Sequence, residues 1–237
     1  MAFISVDPNA LLKALPYTGD GVAYGSGGNA VTGVGFQPDL VWLKCRPQAR
    51  NHRWIDVIRG VGKHLESDNN DAEESPSSGL TAFGSDGFKV GDSGGYNNSS
   101  ENFASWNWKA GTSFSNDASA TSIGSIDSAG SVSETAGFSI CGYTGVSSAG
   151  TIKHGLSTTP SVIIWKNRTS SNGWITYHHR NTSAPETDYL ELHSVNGTND
   201  LNTIMNDTAP TSSDFSIGTE GAVGGSNTNN FISYIFF

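Results

Sequence analysis

The stretch PDLVWLKCR, Pro38 to Arg46, has a near copy 122 positions on, PSVIIWKNR, Pro160 to Arg168. Four further matches keep the same order. Tyr17-Thr18-Gly19 returns as Tyr143-Thr144-Gly145, and Trp54-Ile55 as Trp174-Ile175. Phe88-Lys89-Val90-Gly91 returns as Phe215-Ser216-Ile217-Gly218, and Asn102 to Trp106 as Asn230 to Tyr234. The offsets drift only between 120 and 128, as small loop insertions and deletions would produce. The pattern reads as two tandem copies of one module of about 95 residues, near ordinary domain size.

Each copy reads as all-β. With 29 glycines and abundant Ser, Thr and Asn, helix formers never cluster at 3.6 spacing for long. Pro38 and Pro160 stand at strand entries, where a missing N–H is tolerated. The runs Leu40 to Leu43 and Val162 to Trp165 suit strands covered on both faces. The closing segments alternate: Ala104, Trp106 and Trp108 share one face while Ser105 and Asn107 point away, and Ile232, Tyr234 and Phe236 repeat the pattern. Short strands between Gly-rich turns predict two tandem β-sandwich modules, with jelly-roll or lectin-like topology preferred.

The division expected is an N-terminal docking segment at 1–16, a first repeat at 17–111, a Ser/Ala/Gly-rich stretch at 112–136 and a second repeat at 137–237. Residues 112–136 read either as a flexible linker or as an ordered strap. Copy one either lacks the counterpart of Phe138 to Ile140 or supplies it as Ala2 to Val6, and Ala10 to Leu15 fits a single helical turn.

A formal charge of −9 without a basic stripe argues against nucleic-acid binding. An acidic surface also avoids anionic membranes, and no run of 18 apolar residues exists to span one. The opening MAFISVDPNALLKALP lacks the basic start of a secretory signal. Cys45 and Cys141 suggest buried free thiols rather than a disulfide framework.

Candidate chemistry is sparse. Asp68, Asp71, Glu73 and Glu74 could bind Ca²⁺, but lack the alternating spacing of a calcium loop and read as a solvated loop. As a glycosidase pair they would need rigid placement and one desolvated acid, which a polar loop does not offer. His178 and His179 point to opposite faces of a strand, His154 and His193 have no ligand spacing, and no zinc pattern stands out, so neither metal nor cofactor is expected. GDSGG matches the serine-protease nucleophile in letters only, and no phosphate loop leads into a helix. Trp42, Trp106 and Trp108 read as core. Trp54 and Trp174, at matched positions, are either core anchors or exposed platforms for stacking on sugar rings. With Tyr96 and Tyr177 they make up the candidate glycan-binding set.

GFQPDLVWLKCR, WIDVIRG, LTAFGSDGFKVG and NFASWNWKAG, with an opening GFSI and YTG at Gly137 to Gly145, resemble a repeat module of virion proteins of tailed bacteriophages of marine bacteria and cyanobacteria. The resemblance covers about residues 17–111 and 137–237; the second copy lacks the Arg-Gly after its Trp. It implies a non-enzymatic virion appendage, either a tail fibre, a spike or a capsid-attached fibre, and brings no catalytic residue. It further implies assembly in the bacterial cytoplasm, a homo-oligomer with a trimer favoured, docking on other virion proteins, and contact with a host-surface glycan.

Overall fold

The structure, a computed structural model, describes residues 7–237. Of these, residues 7–67 and 73–111 form one compact unit, and residues 68–72 and 112–237 a second. Nearly all regular structure is antiparallel strand, as the glycine-rich, helix-poor sequence requires.

The first unit contains β1 (Leu12–Thr18), β2 (Asn29–Thr32), β3 (Leu40–Cys45), β4 (Arg53–Asp56), β5 (Leu65–Glu66), β6 (Leu80–Gly84), β7 (Gly87–Val90) and β8 (Asn102–Trp108). One sheet runs β1-β8-β3-β4-β5 and the other β2-β7-β6. Val41, Leu43, Cys45, Ile55 and Phe103 of the first sheet share one apolar cluster with Val31, Leu80, Phe88 and Val90 of the second. Two sheets closed over a common apolar layer make a sandwich-type fold.

The second unit contains β9 (Thr112–Asn116), β10 (Ser128–Ser133), β11 (Phe138–Thr144), β12 (Gly150–Lys153), β13 (Val162–Asn167), β14 (Ile175–His178), β15 (Asp188–Glu191), β16 (Asn199–Asp200), β17 (Asp214–Ile217) and β18 (Asn230–Phe236). Its main sheet runs β16-β15-β14-β13-β18-β11-β10-β9, and β12 pairs with β17. Trp165, Ile163, Cys141, Phe231 and Ile235 pack against Ile152, Phe215 and Ile217.

The order β11-β18-β13-β14-β15 is that of β1-β8-β3-β4-β5. The registers of the closing strand with its two neighbours agree as well, whereas β14 is shifted by two residues against β13 relative to β4 against β3. Tyr17 lies opposite Phe103 and Tyr143 opposite Phe231, and these ring pairs stack at 5.1 and 5.3 Å. Leu40 lies opposite Trp108, and Val162 opposite Phe236.

Three expectations change. Leu12 to Pro16, expected in a docking segment, is part of β1 and pairs with β8; it is the opening strand that copy one was expected to lack. A 3₁₀ turn, Pro8–Ala10, whose Asn9 N–H donates to the Asp7 carboxylate, precedes it in place of a helical turn over Ala10 to Leu15. The alternative opening strand Ala2 to Val6 lies outside the described residues. Of the two readings of residues 112–136 the flexible linker gives way and the ordered one stands in altered form: β9 and β10 extend the second unit's main sheet. Small residues suffice there because backbone pairing needs no side chain. At Gly130 a Cβ would stand 2.0 Å from the Ile140 carbonyl oxygen and 2.6 Å from the Phe114 ring, so only glycine lets β9, β10 and β11 close up.

The third change is which face of β8 lies inside. Ser105 and Asn107 are fully buried, on the side of Phe103, while Trp106 and Trp108 lie half-buried on the other face with Trp42. The polar pair is tolerated because it is hydrogen-bonded: Ser105 donates to the Leu15 carbonyl, and Asn107 donates to the Lys13 carbonyl at 2.9 Å and to Ser105 at 3.0 Å.

His154 is fully buried in the second unit. Its Nδ1 accepts the Leu156 N–H at 3.1 Å and its Nε2 faces the Thr211 carbonyl at 3.3 Å, which fixes the neutral tautomer with the proton on Nε2. Burial holds its pKa below the ordinary 6.5, against the weaker opposing effects of Thr211, Asp214 and Glu134. Below about pH 6.5 the unfolded chain therefore takes up a proton that the folded unit resists. Urea unfolding should show stability present above pH 6.5 and declining as pH falls below it, with a shallower decline in His154→Gln.

Candidate functional site

The four aromatic residues expected to meet a glycan are buried. Trp54 is 3% exposed, Tyr96 1%, Trp174 0% and Tyr177 4%. Stacking on a sugar needs an open ring face, and none of the four offers one, so they serve as core anchors. Trp174 stacks on Tyr234 at 6.3 Å and has the Lys166 ammonium 6.0 Å from its ring centre. Lys166 is itself fully buried and donates to the carbonyls of Asn172 and Asn70 at 2.6 and 3.0 Å. Desolvation lowers its pKa to about 8. Tyr177 belongs to the apolar cluster of the second unit. The tryptophans expected in the core are the more exposed ones: Trp42 stands 5.2 Å from Trp106, 5.4 Å from Trp54 and 6.5 Å from Trp108 on the outer face of the first unit.

Trp54 and Tyr96 converge on a charged cluster that sequence reasoning did not assemble. It begins in β4, where Asp56 caps the turn that follows. One Asp56 carboxylate oxygen accepts the N–H groups of Ile58 and Arg59 at 3.0 and 2.9 Å, and the other accepts the Arg59 Nε at 2.6 Å. Both side chains of this pair are 0% exposed. The guanidinium also donates to the Trp54 carbonyl at 2.7 Å and lies 3.5 Å from Glu73, which in turn lies 3.7 Å from Lys63. One strand position earlier on the same ladder, Arg53 pairs with Glu66 at 3.2 Å and covers the Tyr96 ring at 5.2 Å. Asn51 donates to the second Glu66 oxygen.

His64 stands at the centre. Its backbone forms an isolated antiparallel bridge with Glu74, with N–H to carbonyl bonds of 3.0 Å in both directions. That bridge brings the Glu74 carboxylate 3.4 Å from His64 Nε2, while Glu66 approaches the same nitrogen at 3.5 Å. His64 is 2% exposed, and neither ring nitrogen has a hydrogen-bond partner among the described residues. A buried polar group left this way costs about 1–3 kcal/mol. The Tyr96 ring meets the His64 ring edge-on at 5.9 Å, and burial raises the Tyr96 phenol well above its ordinary value.

The acidic run thus divides between unlike roles: Glu73 and Glu74 belong to this cluster, whereas Asp71 acts electrostatically on Lys166. One signal for His64 was available. In extended chain, His64 and Glu66 are i and i+2 and project to one side. The approach of Glu74 depends on the bridge across the intervening loop and has no local signature. Nucleophilic chemistry finds no ready thiolate, since burial raises both cysteine thiols, Cys141 to about 12. No helix among the described residues is long and apolar enough to cross a membrane.

Removing Asp56 strips the buried Arg59 guanidinium of its 2.6 Å partner and leaves it with Glu73 at 3.5 Å. Asp56→Ala should cost about 3–5 kcal/mol in urea unfolding. The double variant Asp56→Ala/Arg59→Met should cost less than the single one, because no guanidinium is left behind.

No curated protein and no solved structure matches this chain significantly. One family model, that of a domain of unknown function, matches residues 7–237 and so spans both units. The chain belongs to that family, DUF7483.

Proposed function

We propose that this chain is a structural component of a tailed-bacteriophage virion, without enzymatic activity, built from two tandem copies of one β-sandwich module. It forms part of a tail fibre, a spike or a capsid-attached fibre, assembles in the bacterial cytoplasm as a homo-oligomer, and contributes to attachment at the host surface. The observation that carries this reading is the repetition. The five-strand order recurs, the registers of the closing strand with its two neighbours recur at the offsets of the sequence matches, and the repeated segments are those that resemble phage appendage modules. Two buried free thiols suit assembly in a reducing compartment. A polar surface with net charge −9 suits a particle that must stay dispersed. If a host glycan is bound, the half-buried face of Trp42, Trp106 and Trp108 supports that contact better than the four buried aromatics.

Light scattering on the purified chain should give a trimer, near three times 24.9 kDa. Antibodies against it should decorate phage particles and slow adsorption to the host. A monomer with saturable sugar affinity and no particle labelling would replace this reading with that of a free carbohydrate-binding module. Release of reducing ends from host polysaccharide would replace it with a glycan-degrading spike.

A further inference from the structure

We propose that His64, Glu66 and Glu74 bind one divalent transition-metal ion of the zinc type through the imidazole Nε2 and one oxygen of each carboxylate. The ligating atoms lie within 4.8 Å of one another. Zinc bonds of about 2.0–2.1 Å in tetrahedral array place neighbouring ligand atoms roughly 3.4 Å apart. The His64 Nε2 stands 3.5 Å from Glu66 Oε1 and 3.4 Å from Glu74 Oε2, and neither approach forms a hydrogen bond. Both distances from the His64 nitrogen match those between neighbouring ligands of an ion.

Charge and burial point the same way. Two carboxylates, Glu66 and Glu74, face the imidazole, and Glu66 also pairs with the Arg53 guanidinium at 3.2 Å. The imidazole is almost completely buried, with its nitrogens unpartnered among the described residues, and its Nε2 faces both carboxylates. Glu66 is held from behind: the Arg53 guanidinium lies 3.2 Å from the proposed ligating oxygen and Asn51 donates to the other, the outer support that orients metal-binding carboxylates. Glu74 has a side chain 57% exposed, which gives the ion a path from solvent. One imidazole nitrogen with two carboxylate oxygens suits Zn²⁺ or a neighbouring transition metal; Ca²⁺ and Mg²⁺ prefer all-oxygen sets. His154, His178, His179 and His193, the histidines whose spacing in the sequence gave no ligand set, take no part here. Bound metal would join Glu74 to His64 and Glu66 across the intervening loop.

The test is calorimetric titration of the chelator-treated chain with Zn²⁺, alongside thermal unfolding with and without the ion. One ion per chain should bind, and Zn²⁺ should raise the midpoint of unfolding. Glu74→Gln, at a largely exposed position that leaves the fold intact, should weaken binding at least tenfold, and so should His64→Gln. Asp207→Asn, on an exposed carboxylate of the second unit, should titrate like the unaltered chain. Absence of saturable uptake would overturn the proposal. So would uptake that Glu74→Gln leaves unchanged, which would be adventitious surface binding, or an equal response to Ca²⁺ or Mg²⁺.

Discussion

Each unit depends on the insertion of its last strand between two much earlier ones. β8 pairs on one side with β1, the first strand of its unit, and on the other with β3; β18 pairs likewise with β11 and β13. Lys13 and Asn107, joined by a hydrogen bond, are 94 residues apart in the chain. Such pairing requires the chain entropy of a long loop to be lost before the contacts form, which makes folding slow and all-or-none for the unit. The core follows from that closure. Phe103 and Phe231 enter the apolar layer only when the closing strand is in place, and there they stack on Tyr17 and Tyr143.

Closure also sets the terms for the polar groups trapped inside. Ser105, Asn107 and His154 are buried, and each makes a hydrogen bond with the backbone. Arg59 is held the same way, between the Asp56 carboxylate and the Trp54 carbonyl. These arrangements give specificity of register, since a one-residue slip would bury the same groups without partners. His64 departs from the rule: carboxylates surround it, yet neither nitrogen is hydrogen-bonded. That buried, unpaired imidazole between two carboxylates is the physical basis of the proposed metal site.

The sequence carried the strands and their repetition, because both are local. Leu40 to Cys45 and Val162 to Asn167 are read from entry prolines and apolar runs, and the alternation of Ala104, Trp106 and Trp108 correctly places them on one face. Period two separates the faces of a strand without saying which is inside. Tryptophan, large and amphipathic, was read as core, whereas the core side of β8 carries Phe103, Ser105 and Asn107. Residues 112–136 were read as linker or strap from their small side chains, but β9 and β10 form through backbone bonds that composition does not report.

By itself, then, the sequence determined that this chain is all-β and where its β3- and β13-type strands and closing strands lie, since strand period, turn glycines and matched segments are written in neighbouring residues. Tertiary structure alone decided that Trp54, Tyr96, Trp174 and Tyr177 are buried and that Glu74 meets His64 and Glu66. Burial depends on what a second sheet or loop covers, and a cluster of ligating atoms depends on ångström-scale approach between segments joined by a loop. Neither quantity is a property of any short stretch of chain.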